Sequence, residues 1–211
     1  MEKINIYLIR HGESKANRAG IYQGQSYDVG LTLLGRRQAF FVATALMGKN
    51  IQKIVASPLK RTFQTAMVIA KTINVPLITD QHLLEINHGN WEGKHPNDFT
   101  KLEKKILTQW QTEPHLTQMP DGEHFKDVMK RVGIFLLKLE KSKETTVIVA
   151  HDLILRVIIA MILNLDFSNV WNFRLDNCGL NVISFNPRRL IELNNRAHLG
   201  SSMSLLNRQA L

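Results

Sequence analysis

The 211-residue chain predicts an α/β layered domain on three observations. Short runs rich in Ile and Val alternate with longer runs of helical spacing, the pattern of helices packed on a sheet. The apolar runs end on polar residues of one kind: Arg10-His11, Ser57 through Arg61, and His151. The length, at 44% hydrophobic residues, suffices for one substantial core and is short for two independent ones.

Taken in order, "INIYLI" reads as a buried first strand, and "LTLLGRRQAFFVATAL" as a helix with Thr32 as a plausible N-cap. "IQKIVAS" is a second strand, cut off by Pro58, and "LKRTFQTAMVIAKTI" a second helix. A short "PLIT" strand leads into a polar, irregular region, residues 80–121, which contains Pro96, Pro114 and Pro120. That region predicts an elaborated loop or small helical lid within one domain. "GEHFKDVMKRVGIFLLKLE" has helical spacing, "TTVIVA" is a β-branched strand, "DLILRVIIAMIL" a helix and "CGLNVISFN" a further strand. The expected organisation is a single domain over 1–211, with a lid or insertion at about 86–121 and a basic C-terminal tail at about 187–211.

Composition narrows the function classes. The single cysteine, Cys178, has no partner for an internal disulfide or a thiolate metal site, so nothing demands an oxidising compartment. The first strand begins after Met-Glu-Lys, leaving no room for a signal peptide, and "VIIAMILNL" is far short of a bilayer span. These readings predict a soluble cytoplasmic protein with no membrane partner. The formal charge of +9 and pI near 9.8 suit an anionic ligand. Lys and Arg are scattered, with short groups at Lys101–Lys105 and Arg188–Arg189, and no nucleic-acid motif accompanies them. The charge therefore reads as a field that draws phosphorylated small molecules, and no specific nucleic acid is expected as a partner. The oligomeric state is not legible.

In open α/β sheets, sites form outside the carboxyl ends of the strands. Two histidines and two arginines at three such ends predict one crevice, and helices starting there would add backbone N–H groups and positive dipole ends. Such a pocket wants an anion, and guanidinium groups suggest phosphate.

"LIRHGES" followed by Asn17, then "SPLKRTFQTA", "LLEINHGNWEG", "PDGEHF" and "VAHDLILR", resembles in that order the signatures of the histidine phosphatase superfamily, also called the phosphoglycerate mutase-like family. The resemblance runs from residue 4 to about residue 186 and implies a three-layer α/β/α sandwich around a mostly parallel sheet, with no metal and no cofactor. It also implies a phosphatase acting through a phosphohistidine. His11 is then the nucleophile, a neutral imidazole attacking phosphorus in line while its other ring nitrogen is held by a hydrogen bond. Gly12 lets the backbone come close enough to supply that bond. Arg10 and Arg61, with His151 if protonated, stabilise the equatorial oxygens. Glu85 corresponds to the family's proton donor and needs a raised pKa to serve near neutrality. Asn17, Gln23 and Gly24 match substrate-binding positions, and His88 lies close enough to Glu85 to line the pocket.

Each residue also has a plainer reading. Asp152, where many relatives have glycine, stands before an apolar helical run and is a favoured N-cap type; as a carboxylate it also alters the charge beside the phosphate site. Ser14 reads as a cap or loop residue. His82, His95, His115, His124 and His198 lack paired ligand spacing and read as surface residues. Trp91 is pocket wall or packing. If a bound phosphoglycerate rather than water accepts the phosphoryl group, the enzyme is a mutase; the short separation of Glu85 and His151 favours the phosphatase. A binding module that kept the fold without the chemistry is the remaining alternative.

Overall fold

The computed structural model describes residues 4–204 and Gln209. Six strands form one sheet in the order β3-β2-β4-β1-β5-β6: β1 (Asn5–Arg10), β2 (Lys53–Ala56), β3 (Leu77–Thr79), β4 (Thr146–Ala150), β5 (Leu180–Phe185) and β6 (Arg188–Asn195). The first four run parallel to one another, whereas β5 pairs antiparallel with β1, and β6 antiparallel with β5. β4 is buried along its whole length, as expected of a β-branched strand between parallel neighbours.

The period of two along the strands sorts the core into two layers. Tyr7, Ile9, Ile54, Ala56, Val147 and Val149 face α2 (Leu33–Ala45) and α3 (Lys60–Ile73). Ile6, Leu8, Val55, Ile148 and Ala150 face α5 (Phe125–Ser142) and α6 (Asp152–Leu163). The result is the expected α/β/α sandwich. Short α1 (Lys15–Ala19) follows β1. Thr32 caps α2, accepting from the Gly35 N–H, and Ser14 caps α1 in a reciprocal box with Asn17.

The expected lid contains α4 (Lys101–Thr112) and several single 3₁₀ turns. Its aromatic residues are core: Trp91 is fully buried beside Tyr22 and Phe99, so it is packing and not pocket wall. Two expectations need correction. The basic segment after Pro187 does not begin as a tail, because Arg188–Asn195 is the edge strand β6, its exposed residues alternating with partly buried ones as a strand with one solvated face requires. The end of that expected tail, residues 205–208, 210 and 211, lies outside the described residues. Asp152 is not the N-cap of α6; His151 occupies the cap and Asp152 is the first helical residue. Among the described residues, no helix is long and apolar enough to cross a membrane.

Candidate active site

The ends of β1, β2 and β4 converge on one cleft. Its walls include Arg10, His11, Asn17, Gln23, Arg61, Glu85, His88 and Asp152 from the sequence analysis, together with Tyr22, Trp110, Leu153 and Trp171. His151 sits behind His11, their ring centroids 5.4 Å apart. Gly24 does not line the cleft. Its carbonyl accepts from Arg61 Nη2 at 2.9 Å, so it positions an arginine, and a Cβ there would run into the Glu92 carboxylate.

His11 is almost completely buried, and its Nδ1 lies 2.8 Å from the Gly12 carbonyl. A carbonyl only accepts, so Nδ1 carries the proton and the Nε2 lone pair is left as the nucleophilic site. Burial first, then Arg61 and Arg10, hold the ring well below its ordinary pKa and therefore neutral. The loop that aims it is tightly fixed. The Gly12 N–H donates to Thr65 Oγ1 at 3.0 Å, and a Cβ on Gly12 would meet the Gly35 carbonyl oxygen at 2.4 Å. Close packing of α2 on this loop thus requires glycine.

Two buried guanidinium groups act on the His11 ring. Arg61 donates to the Gly24 carbonyl and lies 3.5 Å from Asp28, while burial brings its pKa down to about 10. Arg10 Nη1 donates to the Leu175 carbonyl at 2.8 Å, and Nη2 donates to Gln209 Oε1 at 2.6 Å. The Nε atoms of both arginines and Nδ1 of His151 are buried without a partner among the described residues. An arginine Nε–H is always a donor, so the two guanidinium groups each keep one hydrogen bond to give. His151 Nε2 pairs with Ser57 Oγ at 2.8 Å. Burial and then Arg61 lower its pKa well below normal, so it is a neutral partner and not the cation that stabilisation by charge would need.

Glu85 faces this group from the opposite wall. Burial raises its carboxyl to about 7, against the lowering effect of Arg61. It is thus divided between acid and base at neutral pH, as a group that first gives and then takes a proton must be. His88 is pushed down to about 4 by burial, and its Nδ1 and Trp110 Nε1 are buried without partners among the described residues. Asn17 and Gln23 are tied to Ser14: its N–H donates to Asn17 Oδ1 at 3.1 Å, and its hydroxyl to Gln23 Oε1 at 2.9 Å.

Several contributors lie outside the sequence reading. Asn177 Nδ2 donates to the His11 carbonyl at 2.8 Å, and Gln209 Nε2 donates to Asn177 Oδ1 at 2.8 Å. Glu92 accepts N–H groups from Gln25, Ser26, Tyr27 and His88, tying the loop that carries Gln23 to the segment that carries Glu85. Apart from the His88–Glu92 bond, four residues apart within the quoted "NHGNWEG", these contacts join partners remote in sequence and have no local signal. Of the other histidines, His95 and His124 cap helical starts through Nδ1, and His198 bonds the Cys178 carbonyl. Among the described residues, no three His, Cys, Asp or Glu side chains group as metal ligands.

Comparison with known proteins agrees with this geometry. The model of the histidine phosphatase superfamily (branch 1) matches residues 6–196. Phosphoserine phosphatase 1 of Hydrogenobacter thermophilus is 35% identical over 201 residues, covering 93% of this chain and 95% of that protein. A Yersinia pestis relative named as a phosphoglycerate mutase, GpmB, is 32% identical over 86% of this chain and 85% of its own. The crystal structure of the alpha-ribazole phosphatase from Shigella flexneri superposes with a TM-score of 0.83 at 28% identity, covering 92% of this chain and 98% of that one. The family model over residues 6–196, together with a relative 35% identical across 93% of the chain, places the chain in the histidine phosphatase superfamily.

Proposed function

We propose that this protein hydrolyses phosphate monoesters of small metabolites through a phosphohistidine on His11. The observation that carries the reading is the neutral His11 ring, proton fixed on Nδ1 by the Gly12 carbonyl, in a cleft that also holds two arginines and a half-protonated carboxyl group. In the first step Nε2 attacks phosphorus, the P–O bond to the leaving group breaks, and Glu85 gives its proton to the departing alkoxide. The ring becomes a cationic phosphohistidine, and the Arg10 and Arg61 donors bind the equatorial oxygens. In the second step Glu85, now a carboxylate, takes a proton from water as its oxygen attacks phosphorus. The P–N bond breaks, inorganic phosphate leaves, and His11 returns to its neutral form. Every proton and charge in this cycle is handled by side chains, so it calls for no metal and no cofactor.

Relatives named phosphoserine phosphatase and alpha-ribazole phosphatase support hydrolysis of a small phosphorylated metabolite. The relative named as a phosphoglycerate mutase supports a second reading, in which a bound glycerate accepts the phosphoryl group in place of water. The deciding experiment measures phosphate release from p-nitrophenyl phosphate in excess chelator, for the intact protein and for His11→Ala. Turnover that survives the chelator and falls at least about a thousand-fold in the variant is the expected result. Chelator-sensitive turnover, or an active His11→Ala protein, overturns the reading. Transfer of phosphate between glycerate positions faster than its release establishes the mutase instead.

A further inference from the structure

Asp152 is the charged group of the cleft that the proposed mechanism leaves without a task. Its carboxylate is buried and shared between two arginines. Oδ2 accepts from Arg156 Nε at 2.7 Å, and Oδ1 lies 3.3 Å from Arg156 Nη2 and 3.4 Å from Arg10 Nη1. Arg156 is held on its other side by the carbonyls of Val170, at 2.7 Å, and of Phe173, and its guanidinium lies over the Trp171 ring, 4.9 Å from the centroid. Every guanidinium nitrogen of Arg156 is thus engaged, and the side chain acts as a fixed clamp on the carboxylate.

We propose that Asp152 is a positioning residue for catalysis: clamped by Arg156, it fixes the guanidinium of Arg10 at the phosphoryl site and sets the charge that Glu85 feels across the cleft. The inference rests on the phosphatase reading above. For Arg10, the argument is geometric. The Leu175 carbonyl and Asp152 together engage Nη1, so the guanidinium plane is held with its buried Nε–H unpartnered among the described residues and left for an oxygen of the ligand. Without Asp152 the guanidinium would keep only the Leu175 carbonyl on Nη1 and Gln209 Oε1 on Nη2, with no fixed charge to hold it, and the donor would be less firmly aimed. For Glu85, the argument is charge. Arg61 on α3, Arg131 on α5 and Arg10 on β1 all act on this carboxyl from their own elements, each favouring its ionised form; Asp152 on α6 is the anion that opposes them. Without it the general acid would spend its proton at lower pH.

The test uses Asp152→Asn, which keeps the size of the side chain and one acceptor oxygen but removes the charge, with Asp152→Asn/Arg156→Gln as the control for a merely structural pair. The Glu85 carboxyl is titrated by ¹³C NMR in protein labelled at glutamate and assigned with Glu85→Gln, a readout independent of turnover. In Asp152→Asn its midpoint should fall by about half a pH unit or more. Alongside, kcat/KM for an alkyl phosphate should drop about tenfold with its alkaline limb moved in the same direction, and kcat should fall more than KM rises. An unmoved Glu85 midpoint in Asp152→Asn overturns the inference. So does recovery of the wild-type rate in the double variant, which would make Asp152 only the counter-charge of Arg156. If the wild-type protein releases no phosphate from any monoester, the phosphatase reading fails, and the carboxyl titration still decides what Asp152 does.

Discussion

The two walls of the cleft are built differently. The wall formed by Arg10, His11, Arg61 and His151 stands where β1 and β4 end and α3 begins, and each of its side chains has a backbone carbonyl or a neighbouring side chain as its partner. The opposite wall, formed by Tyr22, Glu85, His88, Trp110 and Trp171, comes from loops and from α4, and is joined by ring contacts such as Trp110 against Trp171 at 5.2 Å. The contrast teaches a division of labour. In-line attack tolerates little misplacement, and on the proposed reading the reacting groups stand beside the central parallel strands of the sheet. On the same reading, choice of the leaving group falls to this second wall, whose loop side chains, such as Trp171, can be exchanged without moving the sheet.

Substitutions that break the division should have effects in a definite order. The largest, after loss of His11 itself, is expected on the first wall: Arg61→Ala should lower kcat/KM by about 10²- to 10³-fold for every substrate alike, because on the proposed reading it removes a donor that serves the transferred group. A loss that varied with the leaving group would assign Arg61 to recognition instead. Next is Glu85→Gln, which removes the acid but not the pocket. It should slow alkyl phosphates by about 10²-fold and p-nitrophenyl phosphate, whose phenolate leaves unaided, much less. Equal losses on both substrates would mean that Glu85 does not protonate the leaving group.

The pH profile sharpens the same point. With the Glu85 carboxyl raised to about 7, its protonated form is lost as pH rises through that value, so kcat for an alkyl phosphate should decline on the alkaline side of about 7. His11 is held well below its ordinary value by burial and by Arg61 and Arg10, so the acid limb should lie below the ordinary imidazole range and the rate stay level between the two limbs. A rate that keeps climbing above about pH 8 contradicts the assignment. The smallest effect belongs to the aromatic wall: Trp171→Leu should change p-nitrophenyl phosphate turnover less than about tenfold while reordering preferences in a metabolite panel. Uniform loss across the panel would show that the wall supports the chemistry after all.

How much of this was legible in the sequence depends on the range of the interactions concerned. "INIYLIRHG" announces its strand and the residues at its end within one short stretch, because strand period and strand termination are local properties. "DLILRVIIAMIL" coincides with α6 for the same reason, although the N-cap falls one residue earlier than the side-chain type of Asp152 suggested. The strand β6 escaped notice because its sequence is charged and half-exposed; only pairing with β5 makes it a strand. The Asn177–Gln209 contacts and the aromatic wall escaped for a related reason, since they join residues that periodicity does not relate.

The sequence by itself thus determined the layered α/β architecture, the five catalytic candidates and the order in which they meet the strands, all of which rest on local patterning and on motifs in fixed succession. Tertiary structure alone decided the states and settings of those groups. That His11 and His151 are neutral, that Glu85 is half-protonated and that Asp152 is shared by two arginines follow from burial and from charges brought together across the fold. The physical reason is that a residue's type is fixed by the chain, but its solvation and its neighbours' charges exist only once the chain has folded.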